Sequence, residues 1–250
     1  MPIAIPLDRL PVYDTANLPA VTDNYNNGGI FLIDKPKGWS SFKVIKRLRR
    51  FLDLKKIGHA GTLDPMATGL LVVCTGKATK SIQYIQELTK EYVANIRFGA
   101  STPSFDAETE FDEHAPYDHI TREGIEETLS AYFNGTINQL PPMYSALKHK
   151  GQRLYKLARK GETVERKSRQ ITIYNTDIIS FDNPDLIIKV ECSKGTYIRT
   201  LADDLGRTMN SLAYLCGLKR TRIGSYRLEN ALSIELLEKI FNNDRNRLSQ

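Results

Sequence analysis

At 250 residues and 41% hydrophobic content, the chain has room for one large domain or two small ones around an ordinary core. Its 35 Lys and Arg against 29 Asp and Glu give a net charge of +6, a mild lean toward an anionic partner. Three scattered cysteines (Cys74, Cys192, Cys216) and four histidines without ligand spacing argue against a disulfide framework or structural metal, and no run reaches the roughly eighteen apolar residues of a membrane span, so a reducing, cytoplasmic setting is expected.

Residues 1–28 are rich in Pro, Asn and Asp and lack periodicity. They read as an N-terminal extension, partly disordered or draped over a domain covering 29–250. GIFLIDKP is a short apolar strand stopped at Asp34-Lys35-Pro36. Ser40 or Ser41 then caps a helix through SFKVIKRLRRFL, with Phe42, Ile45, Leu48 and Leu52 predicted on its buried face. GHAGTLDPMATG (58–69) follows, too rich in glycine and turn formers for a helix or a strand. LLVVCTG is a buried strand that places Cys74 in the core, and KATKSIQYIQEL a second helix.

In EYVANIRFG the alternation of Tyr92, Ala94, Ile96 and Phe98 predicts a strand with one covered face. Residues 101–127 are acidic and loop-like, ahead of a helix through GIEETLSAYFNG. Residues 139–169 read as an inserted arm with one short helix. ITIYNTDIISF and LIIKVECS form a hairpin around DNPD, TYIRTLADDLGRTM is a helix, and IELLEKIF is an amphipathic helix trailing into a polar tail. Strands and helices intermix without a regular βαβ repeat, which sets the class as α+β around a mixed sheet.

The positive charge is concentrated. KGWSSFKVIKRLRRFLDLKK carries eight Lys and Arg against one Asp, and LKHKGQRLYKLARKGETVERKSR nine against two Glu, with Tyr155 interleaved. Either stretch alone is most simply a solvated helix face. Together, the second on a turn-rich insertion, they fit a phosphate backbone. No helix-turn-helix, zinc finger or basic zipper is present, so folded RNA fits better than duplex DNA.

Within the loop at 58–69, Asp64 supplies the only carboxylate, a group able to act as nucleophile or base without a partner. Pro65 fixes its own φ and turns Asp64 away from helical geometry, while Gly58, Gly61 and Gly69 permit tight turns. An Asp-Pro pair is by itself usually only a turn former. A lone carboxylate can nevertheless attack a nucleoside covalently, and glycoside hydrolysis needs a second carboxyl group that this loop lacks. One nucleophile with no water activator suits a rearrangement of the substrate.

At this point the sequence resembles a known family. GHAGTLDPMATGLLVVCTGKATK is similar to the catalytic motif of the TruB family of tRNA pseudouridine-55 synthases. IDKPKGWSS, PPMYSALKHKGQRLYKLARKG, CSKGTYIRTLADDLG and LKRTRIG resemble four further family motifs, in the right order, between about residues 29 and 230. The resemblance implies the pseudouridine synthase fold, a mixed and mostly antiparallel central sheet flanked by helices and loops, with the segment at 139–169 as an RNA-binding arm.

The resemblance further implies Asp64 as the nucleophilic aspartate and His59 as the loop histidine that occupies space inside the RNA. It implies Tyr92 as the tyrosine that stacks on the target base, Arg199 as the arginine paired with the catalytic carboxylate, and Leu218 as an apolar pocket wall. Lys35, Pro36 and Lys80 match positions of mainly supportive character. Read without that context, Tyr92 and Leu218 are core residues, Arg199 a surface charge or structural ion pair, and His59 a polar loop residue.

The implied activity is isomerisation of uridine to pseudouridine at position 55 in the T-loop of tRNA, by base flipping and with no cofactor or metal. A monomer needing no protein partner is expected from the family. About twenty residues follow the matched core, too few for a PUA domain, so the resemblance places RNA affinity on the core and the arm. A tRNA-binding folding chaperone with incidental isomerase activity is the principal alternative. A guide-RNA-dependent synthase and a nucleoside hydrolase are the other two.

Overall fold

The structure, a computed structural model, describes residues 4–20 and 22–248, with the side chains of 243–248 outside the description. The expected extension therefore lies outside it at residues 1–3 and 21, and the expected tail at 249–250.

In chain order, β1 (Val12–Tyr13) and β2 (Gly29–Lys35) precede α1 (Ser41–Leu52). β3 (Ile57–His59) and β4 (Thr68–Thr75) flank the glycine-rich loop, and α2 (Ile82–Glu87) leads to β5 (Lys90–Phe98). The short strands β6 (Ala100–Ser101) and β7 (Glu113–His114) pair with each other. They are followed by α3 (Arg122–Tyr132), β8 (Gly135–Gln139), β9 (Lys148–His149), β10 (Gln152–Arg153) and α4 (Leu154–Ala158). β11 (Arg169–Asp182) and β12 (Asp185–Cys192) form the hairpin, then come α5 (Ile198–Thr208), β13 (Ala213–Ile223), β14 (Tyr226–Arg227) and α6 (Ile234–Leu248). The fold is α+β with a mixed, mostly antiparallel sheet.

The chain divides into two compact units, residues 1–91 with 219–250 and residues 92–218. In the first, β2 and β4 run antiparallel from Gly29 opposite Thr75 to Lys35 opposite Gly69. β1 adds parallel to β2, and the C-terminal part of β13 adds parallel to β4. Both faces of β2 and β4 are covered, which is why they read as continuous apolar runs. Phe31, Ile33, Leu71 and Val73 pack against Val44, Ile45, Leu48, Phe51 and Leu52 of α1 and Leu237 and Phe241 of α6. The alternate residues Ile30, Leu32, Leu70, Val72 and Cys74 pack with Leu10, Ala78, Ile85 and Ile223. The extension is part of this unit, since it supplies β1, Leu10 and the buried Tyr25.

Three helix predictions are corrected here. Ser40, and not Ser41, caps α1 by accepting from the Lys43 N–H, and Phe42 points to solvent at 69% exposure while Val44 and Phe51 take the buried stripe. The segment at 76–87 is a 3-10 turn over Gly76–Ser81 followed by the short α2, not one helix. α6 also continues through the polar residues expected as a tail, because polarity limits burial and not backbone hydrogen bonding.

In the second unit the strand order is β13-β5-β12-β11-β8. Tyr92, Ala94, Ile96 and Phe98 lie on the buried side of β5, following the predicted alternation. The segment between β8 and β11 holds the β9–β10 hairpin and α4, with a small core of its own made by Met143, Leu154 and Leu157.

Candidate active site

In the first unit the loop at 58–69 is held by three side chains from outside it. Lys35, fully buried at the end of β2, donates from Nζ to the carbonyls of Pro36 (3.0 Å), Trp39 (2.6 Å) and Pro65 (3.4 Å). Ser41 Oγ accepts from the Leu63 N–H at 2.9 Å and donates to the Leu63 carbonyl at 3.1 Å. Arg220, 1% exposed, donates from Nε to the Leu70 carbonyl (2.8 Å) and from Nη2 to the Gly61 carbonyl (3.2 Å). Buried cations spent on backbone carbonyls fix the path of a chain that its glycines would otherwise leave loose.

Asp64 sits half-buried where this scaffold turns. Its carbonyl accepts from the Ala67 N–H at 3.1 Å, and the next carbonyl, that of Pro65, takes the Gly38 N–H at 2.8 Å as well as Lys35. Gly69 closes the loop at φ +95°, and a Cβ there would stand 2.4 Å from the Arg220 carbonyl oxygen, so the position requires glycine. His59 ends β3, and its Nδ1 is buried without a hydrogen bond. Burial, followed by the charge of Arg220, pushes its imidazole below the ordinary histidine range and favours the neutral ring. Lys80 is exposed at the end of the 3-10 turn after β4. The structure thus gathers Lys35, Pro36, His59 and Asp64 around one loop and leaves Lys80 on the surface.

In the second unit Tyr92 is 9% exposed near the start of β5, and Leu218 is half-buried on β13. Arg199, 4% exposed in the first turn of α5, donates from Nη1 to the Ser104 carbonyl (2.9 Å) and from Nη2 to the Tyr144 carbonyl (2.8 Å). Its Nε lies 3.4 Å from the Asp106 carboxylate. Asp106 is itself buried and accepts from Ser104 Oγ (2.6 Å) and the Glu108 N–H (3.0 Å). A buried guanidinium with a paired carboxylate and two carbonyl partners is a rigid, preorganised cation.

Three of these residues escape sequence reasoning. Asp106 sits in an acidic stretch that reads as loop, Ser41 competes with Ser40 as a helix cap, and Arg220 appears in LKRTRIG with no role attached. Ser41 and Arg220 do carry a signal, their places inside the motifs IDKPKGWSS and LKRTRIG, whereas Asp106 carries none. Among the described residues no group of three or more His, Cys, Asp or Glu is placed to hold a metal ion, and no helix is long and apolar enough to cross a membrane.

The profile described as TruB family pseudouridylate synthase (N terminal domain) matches residues 49–198. The tRNA pseudouridine synthase B of Phocaeicola vulgatus is 51% identical over 218 residues, covering 85% of this chain and 92% of that protein. The protein of the same name from Flavobacterium johnsoniae is 48% identical over 224 residues, covering 87% and 97%. Its counterpart from Francisella tularensis subsp. novicida is 48% identical over 216 residues, covering 86% of this chain and 71% of that protein. Among solved structures, a chain of a Cbf5-Nop10-Gar1 complex superposes with a TM-score of 0.70 at 25% identity, covering 94% of this chain and 60% of that one. A chain of the archaeal box H/ACA sRNP Nop10-Cbf5 complex, at 23% identity and TM-score 0.66, shares the fold, with 96% and 63% covered. This chain therefore spans about three-fifths of the length of those two structural neighbours.

Proposed function

Because the chain belongs to the TruB family of pseudouridylate synthases, we propose that it isomerises uridine to pseudouridine in tRNA, at position 55 of the T-loop, with Asp64 as the catalytic carboxylate. The observation that carries this reading is the three-sided fixation of the Asp64 loop by Lys35, Ser41 and Arg220. A carboxylate carried on a loop whose backbone is held this firmly is presented at one place for attack or proton transfer.

In this reaction the C1′–N1 bond breaks and a C1′–C5 bond forms. The proton on C5 leaves to solvent and N1 gains one, so no atom, electron or cofactor is consumed. The base must first leave its stack at a cost of a few kcal/mol, which phosphate contacts and stacking offset. In this reading Tyr92 supplies the stacking face, Leu218 an apolar wall that keeps water from the detached base, and Arg199 the guanidinium assigned to the Asp64 carboxylate. His59, neutral by burial, enters the RNA as a space-filling ring.

The surface of α1 supports the RNA side of the reading. Phe42 is exposed, and Lys43 Nζ stands 4.2 Å from the centroid of the Trp39 ring, so aromatic and cationic groups lie together as single-stranded or folded RNA favours. The test is a tRNA transcript carrying tritium at C5 of every uridine. The account expects one tritium released per transcript, and none when cytidine replaces the uridine at position 55. Release unaffected by that replacement overturns the assigned position. Binding without any release would favour the chaperone, and free uracil a hydrolase.

A further inference from the structure

The arm leaves and re-enters the second unit at one point. Gln139, the last residue of β8, and Arg169, the first of β11, are register partners across the two strands. Both side chains reach the turn that precedes α5.

Gln139 is 1% exposed, and its amide is spent on a single residue. Oε1 accepts from the Tyr197 N–H at 2.8 Å, and Nε2 donates to the Tyr197 carbonyl at 3.0 Å. Tyr197 is the N-cap of α5, and its own side chain makes no capping bond. From the other end of the arm, Arg169 donates to the Gly195 carbonyl, and its guanidinium carbon lies 4.5 Å from the centroid of the Tyr197 ring. Gly195 takes φ +82°, and a Cβ there would come within 3.4 Å of that guanidinium. Two residues past Tyr197 stands Arg199, which donates back to the Tyr144 carbonyl of the arm, while Thr200 Oγ1 donates to the Leu140 carbonyl at 3.4 Å.

A reciprocal amide pair fixes both the position and the rotation of the peptide it grips, as a ladder pair does in a sheet. Here the gripped residue opens a helix, the place where backbone N–H groups have no partner within the helix itself. Residues 197 and 199 share that turn, so a shift at the cap is carried to Arg199. A displacement of about 1 Å at a catalytic group costs on the order of a hundredfold in rate.

We infer that Gln139 and Arg169 are positioning residues that set Arg199 from the two ends of the arm. The inference rests on the reading of Arg199 as part of the catalytic site. A merely structural role for the pair would lower stability and leave the rate per folded molecule alone.

The test uses single-turnover tritium release at saturating tRNA, with tRNA affinity measured separately by filter binding. Gln139→Ala and Arg169→Ala are expected to slow release roughly 10- to 100-fold while tRNA affinity stays within about threefold. Arg169→Lys, which keeps a donor for Gly195, is expected to recover most of the rate. In an Arg199→Lys background, Gln139→Ala is expected to cost less than about threefold, because the residue it positions has already changed. Wild-type release rates in both alanine variants overturn the inference, as do losses that multiply in the double variant or losses confined to affinity. If Gln139→Ala does not fold, the Arg169 pair decides. If the wild-type chain releases no tritium, the functional reading itself fails and takes this inference with it. Failure in the variants alone strikes only the inference.

Discussion

Lys35 illustrates how this sequence hides function inside burial. Its ammonium is fully enclosed, and three carbonyls, one of them in the Asp64 loop, depend on it. Lys35→Met keeps the volume and removes the donor, so roughly 2–3 kcal/mol of stability should be lost in urea unfolding, together with activity. An unchanged unfolding midpoint would contradict the role given to this side chain. Two titrating groups pull stability in opposite directions. His59 has a folded pKa below its unfolded value of 6.5, so it contributes stability above pH 6.5 that is lost as pH falls. Asp204 is pushed up to about 6, by burial first and then by the neighbouring Asp203, so its carboxyl holds a proton that the unfolded chain gives up near pH 4. Its contribution is present below pH 4 and is lost as pH rises through 6. Asp204→Asn should therefore raise the melting temperature at pH 7.5 relative to wild type, more than at pH 4.5, whereas His59→Gln should flatten the fall in stability between pH 7 and 5. Thermal melts at these pH values check both signs. Asp64 stands out in the sequence because a restrictive loop surrounds a single carboxylate. Arg220 and Asp106 do not, because burial of a charge is a tertiary fact that no local pattern records.

At the scale of elements, the loop and α1 depend on adjacent serines with different tasks. Ser40 caps the helix, and losing it should cost about 1 kcal/mol. Ser41 satisfies both polar groups of Leu63, so Ser41→Ala strands two buried backbone groups and should cost roughly 1–3 kcal/mol, with a fall in activity that Ser40→Ala does not share. Equal effects of the two substitutions in urea titration and turnover would contradict this division. The strands β2, β4, β5, β11 and β12 were legible because period-two or continuous apolar runs fix them. The buried face of α1 was misphased for a specific reason. Val44, Ile45, Leu48, Phe51 and Leu52 define a stripe, and Phe42 lies about 120° from its centre at 100° per residue. Phe42, Ile45, Leu48 and Leu52 also obey helical spacing, so the sequence allows both phases and packing against α6 and the sheet selects one. The division of 76–87 into a 3-10 turn and a short helix has no comparable signal, because Gly76 and the β-branched Thr79 weaken a helix without marking where it breaks.

At the scale of the whole molecule, the extension was the least legible part. Its composition is that of a loop, yet Leu10 and Tyr25 are buried and β1 lengthens the sheet of the first unit. Sparse anchors in a Pro- and Asn-rich segment leave no periodicity to read. Deleting residues 1–28 removes two large buried side chains worth about 1.5–3 kcal/mol each, so the truncated chain should unfold at clearly lower urea. A midpoint equal to that of the full chain would show the packing to be dispensable. The net charge of +6, concentrated on α1 and the arm, makes a second expectation. Affinity for tRNA should fall linearly on a log–log plot against salt, and replacing two arm lysines should reduce the slope by about 1–2. The most direct measurement compares wild type with Asp64→Ala for tritium release from C5-labelled tRNA at saturating concentration. The account predicts release at background, at least about a thousandfold below wild type, with tRNA affinity within about threefold. Release within tenfold of wild type would contradict it.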